Sequence, residues 1–192
     1  MRRNDEAILA GGLPFSGLEK GLLLTVADEG STSGCNPMTV SWGAMGRIFG
    51  ENALLLTIRP CRYTAELLRK TDALTLSALP EGERFRAALA LCGGKSGREG
   101  SKWEAAGLTP AGEGDFFFPA EAEAVLCCRL LGVFPMDAGR FLPGVWPELR
   151  DRFYRAEPLH SLYLCRIEAL YQREESASAP ISTAVAAAPR RS

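Results

Sequence analysis

Three short segments carry side chains that can hold a planar, anionic ligand. The first is Asn36-Pro37-Met38-Thr39-Val40-Ser41-Trp42-Gly43, in which small hydroxyls and an amide sit beside an indole. A flat aromatic group needs a stacking surface and donors along its polar edge, and this segment offers both. It also reads as an ordinary strand entered from an Asn-Pro turn. The second is Arg59-Pro60-Cys61-Arg62-Tyr63-Thr64, which closes a strand and opens a helix. Two guanidinium groups near a helix N-terminus add their charge to the unpaired backbone N–H groups there, which makes an anion pocket. The plainer alternative is a solvated turn capped by Thr64. The third runs from Cys92 to Trp103. Gly93, Gly94, Gly97 and Gly100 let backbone amides approach a ligand closely, and Lys95, Ser96, Arg98, Ser101 and Lys102 can donate to a phosphate. A flexible surface loop has the same composition.

The elements that position these segments are mostly strands. Runs rich in β-branched and aromatic residues, bounded by turn signals, predict strands over Leu22–Ala27, Met38–Ala44, Leu54–Arg59, Leu74–Leu79, Ala122–Leu131 and Ser161–Tyr171. The last alternates most clearly, with Tyr163, Cys165, Ile167, Ala169 and Tyr171 on one face and Arg166 and Glu168 on the other. Helical spacing predicts Thr64–Lys70 and Glu83–Cys92, the latter with Phe85, Ala88, Leu89 and Cys92 on one stripe. Ser101–Ala106, stopped by Gly107, reads as one helical turn. Pro135 to Glu157 reads as an irregular excursion with a helix near Pro147–Phe153. From Glu174 onward the chain is Ser, Ala, Pro and Arg, so a disordered tail is expected.

Composition narrows the function classes. The 192 residues, 46% of them hydrophobic, suit one domain with a substantial core. Lys+Arg number 22 against 23 Asp+Glu, a balance that disfavours nucleic acid as a partner. No apolar run is long enough for a membrane-spanning helix, and the N-terminus reads as an uncleaved segment, so a soluble cytoplasmic protein is expected. Six cysteines without a C-x-x-C pair, together with a single histidine, His160, fit free thiols better than a disulfide framework or a zinc site. The adjacent Cys127 and Cys128 should point to opposite faces of a strand rather than pair. Cys92, Trp103 and Trp146 read as packing residues. No G-x-G-x-x-G or Walker A pattern is present, which disfavours a Rossmann or P-loop fold.

In their order and spacing the three segments resemble the flavin reductase-like, FMN-binding split-barrel family that includes flavoredoxin. The resemblance continues through Gly46–Gly50, Arg59–Thr64, Cys92–Lys102, Ala106–Pro110 and, in part, His160–Ile167. It departs at Cys165-Arg166, where relatives commonly carry Gly-Glu, and at Gly94 and Gly100, which loosen the phosphate loop. The resemblance implies a mainly β fold: a split, antiparallel Greek-key barrel with a few inserted helices, spanning residues 1–173, with a tail over 174–192. It implies that Asn36, Met38, Thr39 and Trp42 line the isoalloxazine and ribityl side of FMN, with Val40, Ser41 and Tyr63 in the same cofactor-binding stretches. Arg59, Arg62, Thr64, Ser96, Gly97 and Lys102 then surround the phosphate, and His160 lies on the donor side. The implied activity is an oxidoreductase in which FMN accepts a hydride or electrons from NAD(P)H and passes them to a flavin, protein or small molecule. A flavoredoxin-type electron carrier served by a ferredoxin-like donor, and an FMN-binding module without turnover, are the alternatives. A homodimer is expected.

Overall fold

The structure, a computed structural model, describes residues 2–3, 16–155 and 157–173. The expected tail lies outside the described residues. The strands are β1 (Arg2–Arg3), β2 (Leu22–Ala27), β3 (Cys35–Val40), β4 (Gly43–Ile48), β5 (Glu51–Ile58), β6 (Ala73–Ala78), β7 (Pro110–Glu113), β8 (Phe116–Pro119), β9 (Ala124–Pro135) and β10 (Ser161–Gln172). Helices cover Ser16–Lys20, Tyr63–Leu67, Glu83–Gly94 and Val145–Phe153.

The main sheet runs β3-β2-β6-β9-β10-β5-β4, with β1 added to β10, and every pairing is antiparallel. Strands β3 and β4 stand at opposite ends of that order, yet only Ser41 and Trp42 separate them in the chain. The sheet therefore curls until its ends meet, which makes the split barrel. Gly43 permits the tight junction, because a Cβ there would lie 2.6 Å from the Leu55 carbonyl oxygen.

Alternation along the strands sorts the side chains into layers. Leu22, Leu24 and Val26 fill the barrel with Met38, Val40, Leu54, Leu56, Leu74, Leu126, Cys128, Tyr163 and Ile167. Leu23 and Cys35 face outward and are covered by Ala88, Leu89 and Cys92 of the Glu83–Gly94 helix and by Trp103. The predicted helical stripe is thus the one that packs. Cys128 lies in the barrel and Cys127 in a separate outer cluster with Phe118 and Val125, so the two thiols diverge.

Four local expectations are corrected. Met38–Ala44 is not one strand but breaks at Ser41-Trp42, where the chain crosses between the sheet's two ends. Ala169 and Tyr171 leave the face of Tyr163, Cys165 and Ile167 for the outer cluster, because a bulge between Ile167 and Ala169 shifts the register against β9. Thr64 does not cap a helix: Arg62 takes the N-cap position without a side-chain cap, and Thr64 is buried inside the first turn. Ser101–Ala106 forms turns in place of a helix, with a single α-type bond from Ala106 N–H to the Lys102 carbonyl oxygen (2.9 Å). The β7–β8 hairpin was not anticipated.

Candidate functional site

The seam between β3 and β5 opens into a cleft of about 190 Å³ lined by Met38, Thr39, Val40, Ser41, Trp42, Thr57, Ile58, Arg59, Arg62 and His160. Met38 and Val40 turn into the barrel and form its floor. Thr39 faces the other way and donates from Oγ1 to the Leu89 carbonyl at 2.6 Å, which ties the strand to the covering helix. Trp42 remains 39% exposed, with Phe153 against it edge-on (5.0 Å) and His160 tilted over it (4.9 Å). The resulting surface is aromatic and open, with the partly exposed Trp42 ring braced by its two neighbours.

A second group of residues gathers near Arg62. Asn36, at the start of β3, is buried and donates from Nδ2 to Thr64 Oγ1 at 3.0 Å. Its other amide atom, Oδ1, abuts the loop at Gly97, where an added Cβ would lie 2.1 Å from Oδ1 and 2.8 Å from Tyr63 Cδ1. Only glycine brings the loop backbone this close. Ser96 opens the 3-10 turn Gly97–Glu99 by accepting from Arg98 N–H (3.3 Å). Tyr63 is held from behind by its hydroxyl, which donates to Asp28 Oδ1 at 3.1 Å. Arg98 pairs with Glu66 and lies 5.3 Å over the Tyr63 ring, so it fastens the outside of the loop.

Lys102 is the most informative residue of this group. It is 2% exposed, and among the described residues its Nζ reaches only the carbonyl oxygens of Cys92 and Lys95, both at a long 3.4 Å. No carboxylate pairs with it among the described residues. Burial lowers its pKa from the usual 10.5, opposed by Cys92 and reinforced by the positive charge of Arg62. Arg62 itself is exposed and has no ion pair among the described residues. A buried ammonium without a counter-ion is costly, and an anion bound here removes that cost.

Arg59 is placed differently from Arg62. Its Nη2 donates to the Phe153 carbonyl at 3.1 Å and its Nη1 pairs with Glu157 at 3.2 Å. It lines the aromatic cleft and is already engaged by the excursion. The structure therefore brings Asn36, Tyr63, Thr64 and Gly97 together and ties Lys102 to the start of the same loop, with Met38 to Trp42, Arg59 and His160 in the adjoining cleft, which Arg62 also lines. The Tyr63–Leu67 helix is a single turn, so the positive potential comes from side chains more than from a helix dipole.

His160, just ahead of β10, lies with its Nδ1 2.9 Å from the Tyr154 hydroxyl. Burial, with Arg59 and Arg62, lowers its pKa from 6.5 to about 4 against the pull of Glu157, so the ring is neutral at neutral pH. Asp28, Phe153, Tyr154 and Glu157 were missed by sequence reasoning. No motif marks them, since each acts through a partner distant in the chain or through the irregular excursion. Among the described residues no group of His, Cys, Asp and Glu is arranged to hold a metal ion, and no helix is long and apolar enough to cross a membrane.

A split barrel with an anion cradle beside an open aromatic cleft is suited to a phosphorylated planar ligand. The chain belongs to the flavin reductase like domain family, whose model matches residues 16–185. Its fold is similar to that of an FMN-binding protein from Thermus thermophilus, solved with bound 1-cyclohex-2-enone (21% identity, 79% of this chain and 69% of that one, TM-score 0.58). It is also similar to flavoredoxin from Methanosarcina acetivorans (15% identity, 82% and 70%, TM-score 0.60). A third similar structure is an NADH:FAD oxidoreductase of Streptomyces globisporus (13% identity, 80% and 75%, TM-score 0.56). A search of curated protein sequences finds no match.

Proposed function

We propose that this chain binds FMN and works as a flavin-dependent oxidoreductase that takes electrons from NAD(P)H and passes them to a flavin, a protein or a small planar acceptor. The observation that carries the reading is Lys102, a buried cation without a carboxylate partner among the described residues, beside a loop that only glycine can bring so close. A dianionic phosphate matches that deficit, and Arg62, Ser96 and the loop amides supply further donors. The sequence carries no G-x-G-x-x-G fingerprint for the pyrophosphate of a dinucleotide, which favours FMN over FAD. When bound, FMN supplies hydride and electron transfer through its flavin ring. The chain's part is to anchor the phosphate with Lys102 and Arg62, to flank the ring with Trp42, and to present His160 where a donor approaches. The family membership and the similar NADH:FAD oxidoreductase support NAD(P)H as the donor.

The test is an absorption spectrum of the purified protein followed by anaerobic addition of NADH or NADPH. Bound flavin, released as FMN on denaturation and bleached by one of the two nucleotides, is expected. In His160→Ala, FMN should be retained while bleaching slows about tenfold, since a donor-side hydrogen bond acts on reduction more than on retention. Release of FAD, or a flavin indifferent to both nucleotides, sinks the reading. In the second case a low-potential ferredoxin-like donor that does reduce the flavin would favour a flavoredoxin-type carrier, as the similarity to flavoredoxin allows.

We also propose that two copies pair and that the protein works in the cytoplasm. Leu131, Val133 and Phe134 at the end of β9 are all more than two-fifths exposed, apolar surface that a second copy can cover. The six cysteines are free thiols, in keeping with a reducing compartment. Light scattering at micromolar concentration should give twice the 20.7 kDa chain mass; a monomer contradicts the pairing.

A further inference from the structure

The excursion between β9 and β10 belongs to none of the phosphate-side motifs, yet it packs two rings against residues that line the cleft. The Val145–Phe153 helix ends with Phe153 against Trp42, and the next residue, Tyr154, donates its backbone N–H to the Arg150 carbonyl at 2.9 Å. The Tyr154 hydroxyl lies 2.9 Å from His160 Nδ1 with the two rings nearly perpendicular. Arg59 fixes the same corner from the barrel side through the Phe153 carbonyl and Glu157, with its guanidinium 5.9 Å over the Tyr154 ring.

We propose that Tyr154 is a positioning residue that holds His160 in its Nε2–H tautomer, so that His160 offers a neutral N–H donor to a carbonyl oxygen of the ligand in the cleft. The direction of the hydrogen bond carries the assignment. A phenol O–H is a much stronger acid than a neutral imidazole N–H, and an imidazole nitrogen is a much stronger base than a phenol oxygen. Tyr154 therefore donates, Nδ1 accepts, and the ring proton resides on Nε2. The ring lines the cleft, and Nε2 has no partner among the described residues.

The charged and titratable groups that face this ring are Arg59 and Arg62 from the β5 end, with Glu157 and Tyr154 from the excursion. Burial, helped by the two cations, outweighs Glu157, which keeps His160 uncharged down to about pH 4. A neutral donor recognises an acceptor atom; no proton transfer is required of it. The carboxamide of a nicotinamide and the carbonyl of a planar enone or aldehyde share that acceptor chemistry. The ligand half of this inference rests on the function proposed above, whereas the tautomer half does not.

His160 is the only histidine of the chain, so its ring nitrogens can be read alone by two-bond proton–nitrogen correlation on the full-length labelled protein. Without flavin at pH 7, wild type should give the pattern of a single Nε2–H tautomer. Tyr154→Phe should give a tautomer mixture and move the titration midpoint upward by about half to one pH unit, because a bond to the neutral form is lost. A wild-type spectrum with the proton on Nδ1 overturns the proposal without any variant having to fold, and so does an unchanged tautomer in Tyr154→Phe. With FMN added, a downfield shift of the Nε2–H proton on addition of nicotinamide assigns the carbonyl to the electron donor. A shift with benzaldehyde assigns it to the acceptor, and a shift with neither removes the carbonyl assignment. Because the tautomer is read without flavin, failure to bind FMN and failure of Tyr154 to orient His160 give different results.

Discussion

Lys102→Met is expected to weaken FMN binding by about ten- to a hundredfold, or roughly 1.5–3 kcal/mol, through loss of one charge-assisted contact. Riboflavin, which lacks the phosphate, should bind wild type and variant alike. The same substitution should affect the flavin-free protein in the opposite direction. Lys102 is 2% exposed and, among the described residues, held by two long contacts to carbonyl oxygens with no carboxylate beside it, so methionine removes a buried charge that the flavin-free protein leaves unpaired there. A gain of about 1 kcal/mol in unfolding free energy is expected without flavin, which addition of FMN to wild type should match or exceed. Denaturant titration with and without FMN measures both effects. A lysine that only ties the loop together would lose stability and both flavin affinities at once, and that outcome contradicts phosphate anchoring. Alkaline titration gives an independent check. Since burial lowers the folded pKa of Lys102 below 10.5, the flavin-free protein gains stability as pH rises through the interval up to 10.5, while FMN affinity declines as the ammonium is lost.

Gly97→Ala is expected to be the most damaging single change at the site. The added methyl would stand 2.1 Å from Asn36 Oδ1 and 2.8 Å from Tyr63 Cδ1, and neither neighbour is free to yield. Asn36 is buried and bonded to Thr64, and Tyr63 is held by Asp28. The loop must therefore retreat from the barrel. Overpacking of this kind costs about 1–3 kcal/mol, which for a chain of this size lowers Tm by roughly 2–12 °C. Because the retreat withdraws the loop amides and alters the surroundings of Lys102, FMN affinity should fall at least about a hundredfold, the loss of two or more charge-assisted bonds. Gly94→Ala serves as the control, since a Cβ there meets nothing within 4 Å. It should leave FMN affinity within about twofold of wild type and Tm unchanged or slightly raised, because alanine restricts the unfolded chain. Equal losses in the two variants would mean that loop flexibility, rather than close approach at Gly97, governs binding.

Much of this arrangement is legible along the chain, and the physical reason is that it depends on local pattern. The alternation of Leu22, Leu24 and Val26 against Leu23 and Thr25 defines β2 and both layers it separates, and the stripe of Ala88, Leu89 and Cys92 defines the helix that covers it. The glycine-rich run from Cys92 to Lys102 marks a loop capable of close backbone approach, because glycine alone tolerates it. Cys127 and Cys128 diverge for the reason that any two neighbours on a strand diverge.

What the tertiary structure decided depends on residues far apart in sequence. The bulge that moves Ala169 and Tyr171 to the outer layer is a mismatch between β10 and β9, and a strand's own alternation contains no record of its partner's length. Thr64 has the side chain of an N-cap, but the buried amide of Asn36 claims its hydroxyl, and a burial contact across 28 residues outweighs a local preference. Arg59 and Arg62 are three residues apart and alike in type; only the folded excursion, through Phe153 and Glu157, engages one and leaves the other beside the cradle. That Lys102 is buried without a carboxylate partner among the described residues likewise follows from the packing of its loop against the end of the Glu83–Gly94 helix, where its Nζ meets the Cys92 and Lys95 carbonyls, a contact that composition alone does not reveal.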